Sequence, residues 1–320
     1  MAVIAGIDEA GYGPLLGPLV STVTVFSVPT SLKNKNLWKV LSSSISPKAS
    51  GRSGRLCVAD SKKLFSRAKG LARLERTVLS FLHLLGRETT GLRELLGSLR
   101  ADCAGQMNDY PWYLDHSMQL PLRADALDIA TCVNALRLDT RRNNIRFLGA
   151  GCKVLLVGRY NDLVDKTRNK AAVLFSLTGK FLSELVRRYA NKGLVVYVDK
   201  QGGRMRYRSL LQQCFANWDL RIVQEDEQAS IYQMSRGQAA WEVHFKTKAE
   251  SKHLPVALAS IYAKYVRELF MELFNRYWTG QVAGLRPTAG YYTDGKRFLS
   301  EIGPTCEKLK TPMGKLIRSR

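Results

Sequence analysis

Two runs rich in Val, Ile and Thr open the chain, at residues 2–8 and 18–28. They read as strands joined by a Gly/Pro turn. Between 30 and 58 the apolar pattern gives way to Ser, Lys and Gly, as in "SSSISPKASGRSGR", which predicts a flexible insertion. Asp60 and Ser61 then offer an N-cap to a helix, "KKLFSRAKGLARLERTVLSFLHLL", whose apolar residues recur at helical spacing. Residues 89–147 are less regular. They hold a helix near 123–139 and a polar-aromatic stretch, "MNDYPWYLDHSM", and predict an inserted helical subdomain or lid.

The second half is more strongly patterned. "CKVLLVGRY" (152–160) reads as a strand and "NKAAVLFSLTGKFLSELVRRYA" as an amphipathic helix. "GLVVYVDK" (193–200) is a continuous apolar run, as a central strand buried on both faces requires. A helix over about 204–217 follows. Then "LRIVQEDE", "SIYQMS" and "WEVHFKTKAE" read as strands, the last two forming a hairpin around Arg236-Gly237. "PVALASIYAKYVRELFMELFNRYW" is a long helix, and 287–320 is a basic, Gly/Pro-punctuated tail. A hairpin first, then strands alternating with helices, predicts an α/β fold with a mixed sheet flanked by helices, in one domain over 1–320.

Composition narrows the partners. Among 320 residues, 45% hydrophobic content supports a real core. The 49 Lys and Arg against 27 acids give a net charge of +22, a field that attracts polyanions. With no long apolar run and no lipidation motif, nucleic acid fits better than a membrane. The 6 cysteines form no Cys-x-x-Cys and no zinc-finger spacing with His, so they read as reduced thiols in a cytoplasmic protein, with no signal peptide ahead of the first strand.

The acids give the chemistry. Asp8 and Glu9 end the first strand, in "GIDEAGYGP"; Asp199 ends the buried strand; Glu250 lies between a strand and the long helix. Singly, each could be a surface ion-pair partner, and "DEAGYG" could be a solvated hairpin turn. Together they can converge on one sheet edge. Clustered carboxylates repel unless hard cations neutralise them, and oxygen ligands select Mg²⁺ or Mn²⁺. Two such ions suit in-line phosphoryl displacement. In so basic a chain, that points to a phosphodiesterase acting on nucleic acid.

The motifs resemble ribonuclease HII, the type 2 ribonuclease H family. "GIDEAGYGPLLGPLV" is similar to that family's Gly-x-Asp-Glu-Ala-Gly-Arg-Gly-Pro opening, "DSKKL" (60–64) to its Asp-Ser-Lys-Lys-Leu, and "YVDK" to the strand of its third acid. "KAESKHLPVALASIYAKYVRE" (248–268) and "AGYYTDGKRF" (289–298) resemble its later segments, in order. The resemblance implies an RNase H-like fold and endonucleolytic cleavage of RNA in RNA–DNA hybrids or at ribonucleotides embedded in duplex DNA. It implies Asp8, Glu9, Asp199 and Glu250 as catalytic ligands of two Mg²⁺ or Mn²⁺, one ion activating water and one stabilising the leaving oxygen. It implies substrate contacts from Gly11, Tyr12, Gly13, Ser61, Lys62, Lys264 and Tyr291, and a substrate-contacting role for the tail. A monomer is expected.

Two positions depart from the pattern. Glu250 stands where type 2 enzymes usually carry Asp, though the related ribonuclease HIII group uses Glu. Tyr12 replaces the family's Arg, so a bidentate phosphate contact is lost and a phenol takes its place. Two competing readings remain: a non-catalytic nucleic-acid-binding protein on the same fold, or a nuclease for branched or DNA-only substrates. Retention of all four acids weighs against the first, because a binder of polyanions gains by losing them.

Overall fold

The computed structural model describes residues 1–48, 55–65, 70–114 and 117–319. Parts of the expected insertion (49–54), of the helix after Asp60 (66–69) and of the polar-aromatic stretch (115–116) lie outside the described residues. So does residue 320 of the tail.

β1 (Ala2–Ala10) and β2 (Leu19–Val28) form an antiparallel hairpin, with Ala2 opposite Val28 and Ala10 opposite Val20. Next come α1 (Leu37–Val40), the short β3 (Ile45–Ser46) and β4 (Leu56–Cys57), and α2 (Ser61–Leu64). Four helices precede the return to the main sheet: α3 (Ala72–Leu84), α4 (Leu92–Ser98), α5 (Ala104–Met107) and α6 (Ala126–Arg142). β5 (Arg146–Leu155) then pairs with β2, and α7 (Val157–Thr167) and α8 (Lys170–Tyr189) follow. β6 (Leu194–Asp199), α9 (Arg208–Cys214), β7 (Asp219–Glu225), β8 (Ala229–Arg236) and β9 (Ala239–Lys246) complete the main sheet. α10 (Leu254–Gln281), α11 (Tyr292–Lys308) and α12 (Met313–Leu316) close the chain.

The sheet has seven strands in the order β5-β2-β1-β6-β9-β8-β7. β6 runs parallel to both β1 and β9, and the remaining pairs are antiparallel. This is the mixed sheet expected from the sequence. Helices cover both faces, so the central strands are apolar on both sides. Alternation along β1 sends Ala2 and Ile4 into the core beneath α10, and Val3, Ala5 and Ile7 into the core beneath α8 and α9. Asp8 therefore falls on the α10 face and Glu9 on the other.

α10 lies against the hairpin at unusually close range. A Cβ on Gly6 would sit 2.2 Å from the carbonyl carbon of Pro255 and the amide nitrogen of Val256. The hydroxyls of Thr22 and Thr24 donate to the carbonyls of Ala259 (2.6 Å) and Pro255 (2.7 Å). These contacts fix the helix on the strands, and with it every side chain that α10 presents to the end of β1.

Several expectations are corrected. The described residues of 30–58 contribute apolar side chains to the core: Leu37, Trp38, Leu41, Ile45, Leu56 and Val58 are buried, and the Trp38 indole donates to the Val58 carbonyl at 2.7 Å. The described residues of 89–147 share the main core instead of standing apart as a lid. Trp112 and Tyr113 pack edge-on against Phe274 and Phe270 of α10. The strand expected over 152–160 ends at Leu155, because Val157, Tyr160 and Val164 repeat at helical spacing and bury one face of α7. The tail holds a 17-residue helix, α11, whose Phe298, Ile302 and Cys306 face the core despite Pro304 within it. Among the described residues no helix is long and apolar enough to cross a membrane. Among the described residues none of the six cysteines is joined in a disulfide.

Candidate active site

β1 and β6 are parallel neighbours, so their C-terminal ends lie side by side and bring Asp8, Glu9 and Asp199 together. β9 is parallel to β6 and delivers the chain to the same edge, where a single turn, Ala249–Ser251, carries Glu250. Lys248 takes a left-handed conformation (φ 54°) to make that turn. The four acids line one cavity of about 420 Å³. The same cavity is lined by Gly11, Tyr12, Gly13, Ser61, Lys62, Lys264 and Tyr291, so every candidate residue from the sequence is brought to one place.

Burial and mutual repulsion set the protonation of the cluster. Asp8 is 7% exposed and its carboxyl is held well above the usual range, first by burial, then by the charges of Glu9 and Asp199. Hydrogen bonds from Ser260 and from the Glu9 amide (2.8 Å) partly offset this. Glu9 is pushed up to about 8 by burial and Asp199, against the pull of Lys62. Asp199 is pushed up to about 7, mainly by burial; the Ala249 amide, donating at 2.9 Å, opposes this. Such a cluster favours protons or cations.

The basic side chains differ in how free they are. Lys62 is exposed and its charge lowers both Glu9 and Asp199. Lys264 pairs with Glu268 at 2.6 Å and lies over the Phe65 ring at 4.5 Å. Ser61 is buried and bonds Ser260 at 2.9 Å, so it stands behind Asp8 as a support. Tyr291 is 52% exposed, with its ring open to the cavity mouth.

Gly11 has φ 87°, a conformation that favours glycine, and a Cβ there would lie 2.5 Å from the Pro18 carbonyl. The ring of Tyr12 is half-buried against the cluster of Leu19, Tyr160 and Val164. Its hydroxyl lies close to Gly202. The phenol thus faces a wall of the cavity and is not free in the groove. Sequence reasoning missed two arginines behind this loop, Arg267 and Arg318, which are 1% and 4% exposed. Arg267 donates to the carbonyls of Leu16 (3.2 Å) and Ala289 (3.1 Å). A signal for Arg267 existed, because it stands seven residues after Ser260 on the same helical face.

The donor set fits hard divalent cations: Asp8, Glu9 and Asp199 with raised proton affinity, and a Glu250 Oε2 that is buried without a hydrogen-bond partner. Among the described residues, no three His, Cys, Asp or Glu side chains stand ready to hold an ion as they lie. Ligation therefore requires the carboxylates to turn inward, against the repulsion that an ion would remove.

Residues 199–299 match the family model described as Ribonuclease HII. That segment carries Asp199, Glu250, Lys264 and Tyr291, so the resemblance read from the motifs is shown over this part of the cavity. No curated protein sequence matches the chain. Among solved structures, the chain is similar to ribonuclease HII in its PCNA complex from Archaeoglobus fulgidus. The identity is 16%, the TM-score 0.46, and 99% of this chain and 94% of that one are covered. Ribonuclease H2 from Pyrococcus horikoshii OT3 matches at 16% identity and TM-score 0.43, over 98% and 92% of the two chains. Bst-RNase HIII in complex with Mn²⁺ matches at 16% and 0.43, over 99% of this chain and 66% of that one.

Proposed function

We propose that this ribonuclease HII-type protein is a divalent-metal-dependent endoribonuclease that cuts RNA in RNA–DNA hybrids or at ribonucleotides within duplex DNA. The observation that carries the reading is the convergence of Asp8, Glu9, Asp199 and Glu250 on one cavity in a chain of net charge +22. Carboxylates alone would repel a phosphodiester. Mg²⁺ or Mn²⁺ bound by them would supply an activated water and stabilise the leaving oxygen. Lys62 is placed to draw the phosphate backbone to the cavity, and the exposed Tyr291 ring to pack on a sugar beside the scissile bond. Gly11 supplies the turn, and Gly13, where a side chain would stand in open space, lets the strand approach the loop backbone closely.

Matched duplexes carrying no, one or several ribonucleotides, each with Mg²⁺, Mn²⁺ or EDTA, test the proposal. Cleavage is expected only beside ribonucleotides and only with a divalent ion. Cutting of the all-DNA duplex would overturn the ribonuclease reading in favour of a DNA nuclease. Tight binding with no cleavage under any metal would overturn it in favour of a binding protein.

A further inference from the structure

We propose that Arg318 is a positioning residue that presents the Tyr12 and Gly13 amides to the substrate strand, by gripping the loop through its carbonyls. This rests on the ribonuclease reading above. The guanidinium donates through Nη1 to the Gly11 carbonyl and through Nη2 to the Tyr12 carbonyl (3.4 Å). It lies 4.0 Å over the Tyr160 ring. Its seat is built from both sides: Asn161 of α7 donates to the Ile317 carbonyl (2.8 Å) and accepts from the Ser319 amide (2.7 Å). The Arg318 amide itself donates to the Leu15 carbonyl at 3.1 Å.

Peptide geometry turns this grip into a direction. Across a planar trans peptide, the C=O of one residue and the N–H of the next point opposite ways. Leu120-Pro121 is the one cis bond among the described residues, so the bonds at 11–12 and 12–13 are trans. With both carbonyls held by Arg318, the Tyr12 and Gly13 N–H groups point away from it. Neither donates to anything among the described residues, although both residues line the carboxylate cavity. Two adjacent N–H groups on one side of a loop make a concave donor site for an anionic or hydroxyl oxygen.

The charge state supports the same role. A buried guanidinium is costly without an acid to meet it. Arg318 is 4% exposed and pairs with no carboxylate among the described residues. The Gly11 and Tyr12 carbonyls and the Tyr160 ring offset part of that cost. A strut serving stability alone would be met more cheaply by a neutral side chain.

The test compares Arg318→Ala, Arg318→Gln and Arg318→Lys in the full chain. Hydrogen exchange of the Leu15 and Leu16 amides, which close this loop by donating to the Gly290 carbonyl (2.7 and 3.1 Å), should quicken in the Ala variant with β6 unchanged, and be partly restored by Lys. Unchanged loop exchange overturns the grip, whether or not the wild type cleaves any duplex. On a ribonucleotide-containing duplex, kcat/KM per folded molecule should fall about tenfold or more in the Ala and Gln variants, with Lys between. Affinity for the matched all-DNA duplex should stay within about twofold, because no direct phosphate contact is removed. Equal kcat/KM per folded molecule in all four proteins, with only the melting temperature lowered, overturns positioning in favour of a merely structural arginine.

Discussion

Asp199→Asn removes one charge from the carboxylate cluster, and it should stabilise the metal-free fold at pH 8 while abolishing cleavage. The Asp199 carboxyl is held at about 7 and Glu9 at about 8, against ordinary values of 3.8 and 4.5. In the folded state both therefore keep protons that the unfolded chain gives up. The folded state binds more protons between about pH 4 and pH 8, so stability falls as pH rises through that window and levels off above it. Each pH unit of such a displacement corresponds to about 1.4 kcal/mol, so Asp199 alone costs up to about 4 kcal/mol at pH 8. Residual solvent contact and shared protons reduce this, and about 1–3 kcal/mol should be recovered by the substitution. The Asn side-chain oxygen can still accept from the Ala249 amide, so no local bond is lost. Urea denaturation in EDTA at pH 5 and pH 8 measures the effect. The wild type should lose stability between the two, and the variant should lose less. Its duplex affinity without metal should hold or rise, since a negative charge is gone. Parallel losses in both proteins, a variant less stable at pH 8, or turnover within a few-fold of wild type would refute the reasoning.

Duplex binding should be steeply salt-dependent: with about 5 phosphates neutralised, log K falls against log[salt] with slope near −4 to −5, as titrations across salt concentrations would show. Glu75→Gln should cost about 2–4 kcal/mol by denaturant unfolding. Its buried carboxylate accepts from the Leu122, Arg123 and Ala124 amides at 2.7, 2.6 and 2.7 Å and from the Tyr265 hydroxyl at 2.8 Å. An amide turns one of those acceptors into a donor. Tyr12→Arg should lower the melting temperature, because the ring packs on Tyr160 and a new cation would join Arg318 beside it. The ratio of cleavage at a single ribonucleotide to that at a longer tract should change little.

The central strands were legible because burial on both faces leaves nothing but apolar residues in "GLVVYVD", and the acids were legible because they interrupt such runs at their ends. α11 was obscured by its own punctuation: Pro304 and Gly303 suggested a loop, although Phe298, Ile302 and Cys306 already stood at helical spacing. The boundary at Leu155 was hidden for the opposite reason, since an apolar run can pass from strand into a buried helix face without a polar break. Arg318 could not be recognised in a basic terminal stretch. A sequence shows a charge but not the carbonyls around it, and a solvated cation is the ordinary reading of "KLIRSR". Tyr12 stood out as a departure, yet only the packing of its ring on Tyr160 and the closeness of its hydroxyl to Gly202 tell which way it faces.

The contact of Gly6 with α10 makes that residue a gauge of how little the carboxylate-bearing edge of the sheet can yield. Even a methyl group there would land inside the backbone of Pro255 and Val256, and no rotamer change could relieve it. The helix would have to lift, and Ser260 would rise with it, away from Asp8. An alanine placed beneath the floor of the sheet would thus be felt first as a lost hydrogen bond to a carboxylate, some distance from the methyl itself. In a library of variants, Gly6 should behave like an active-site position although it touches no substrate.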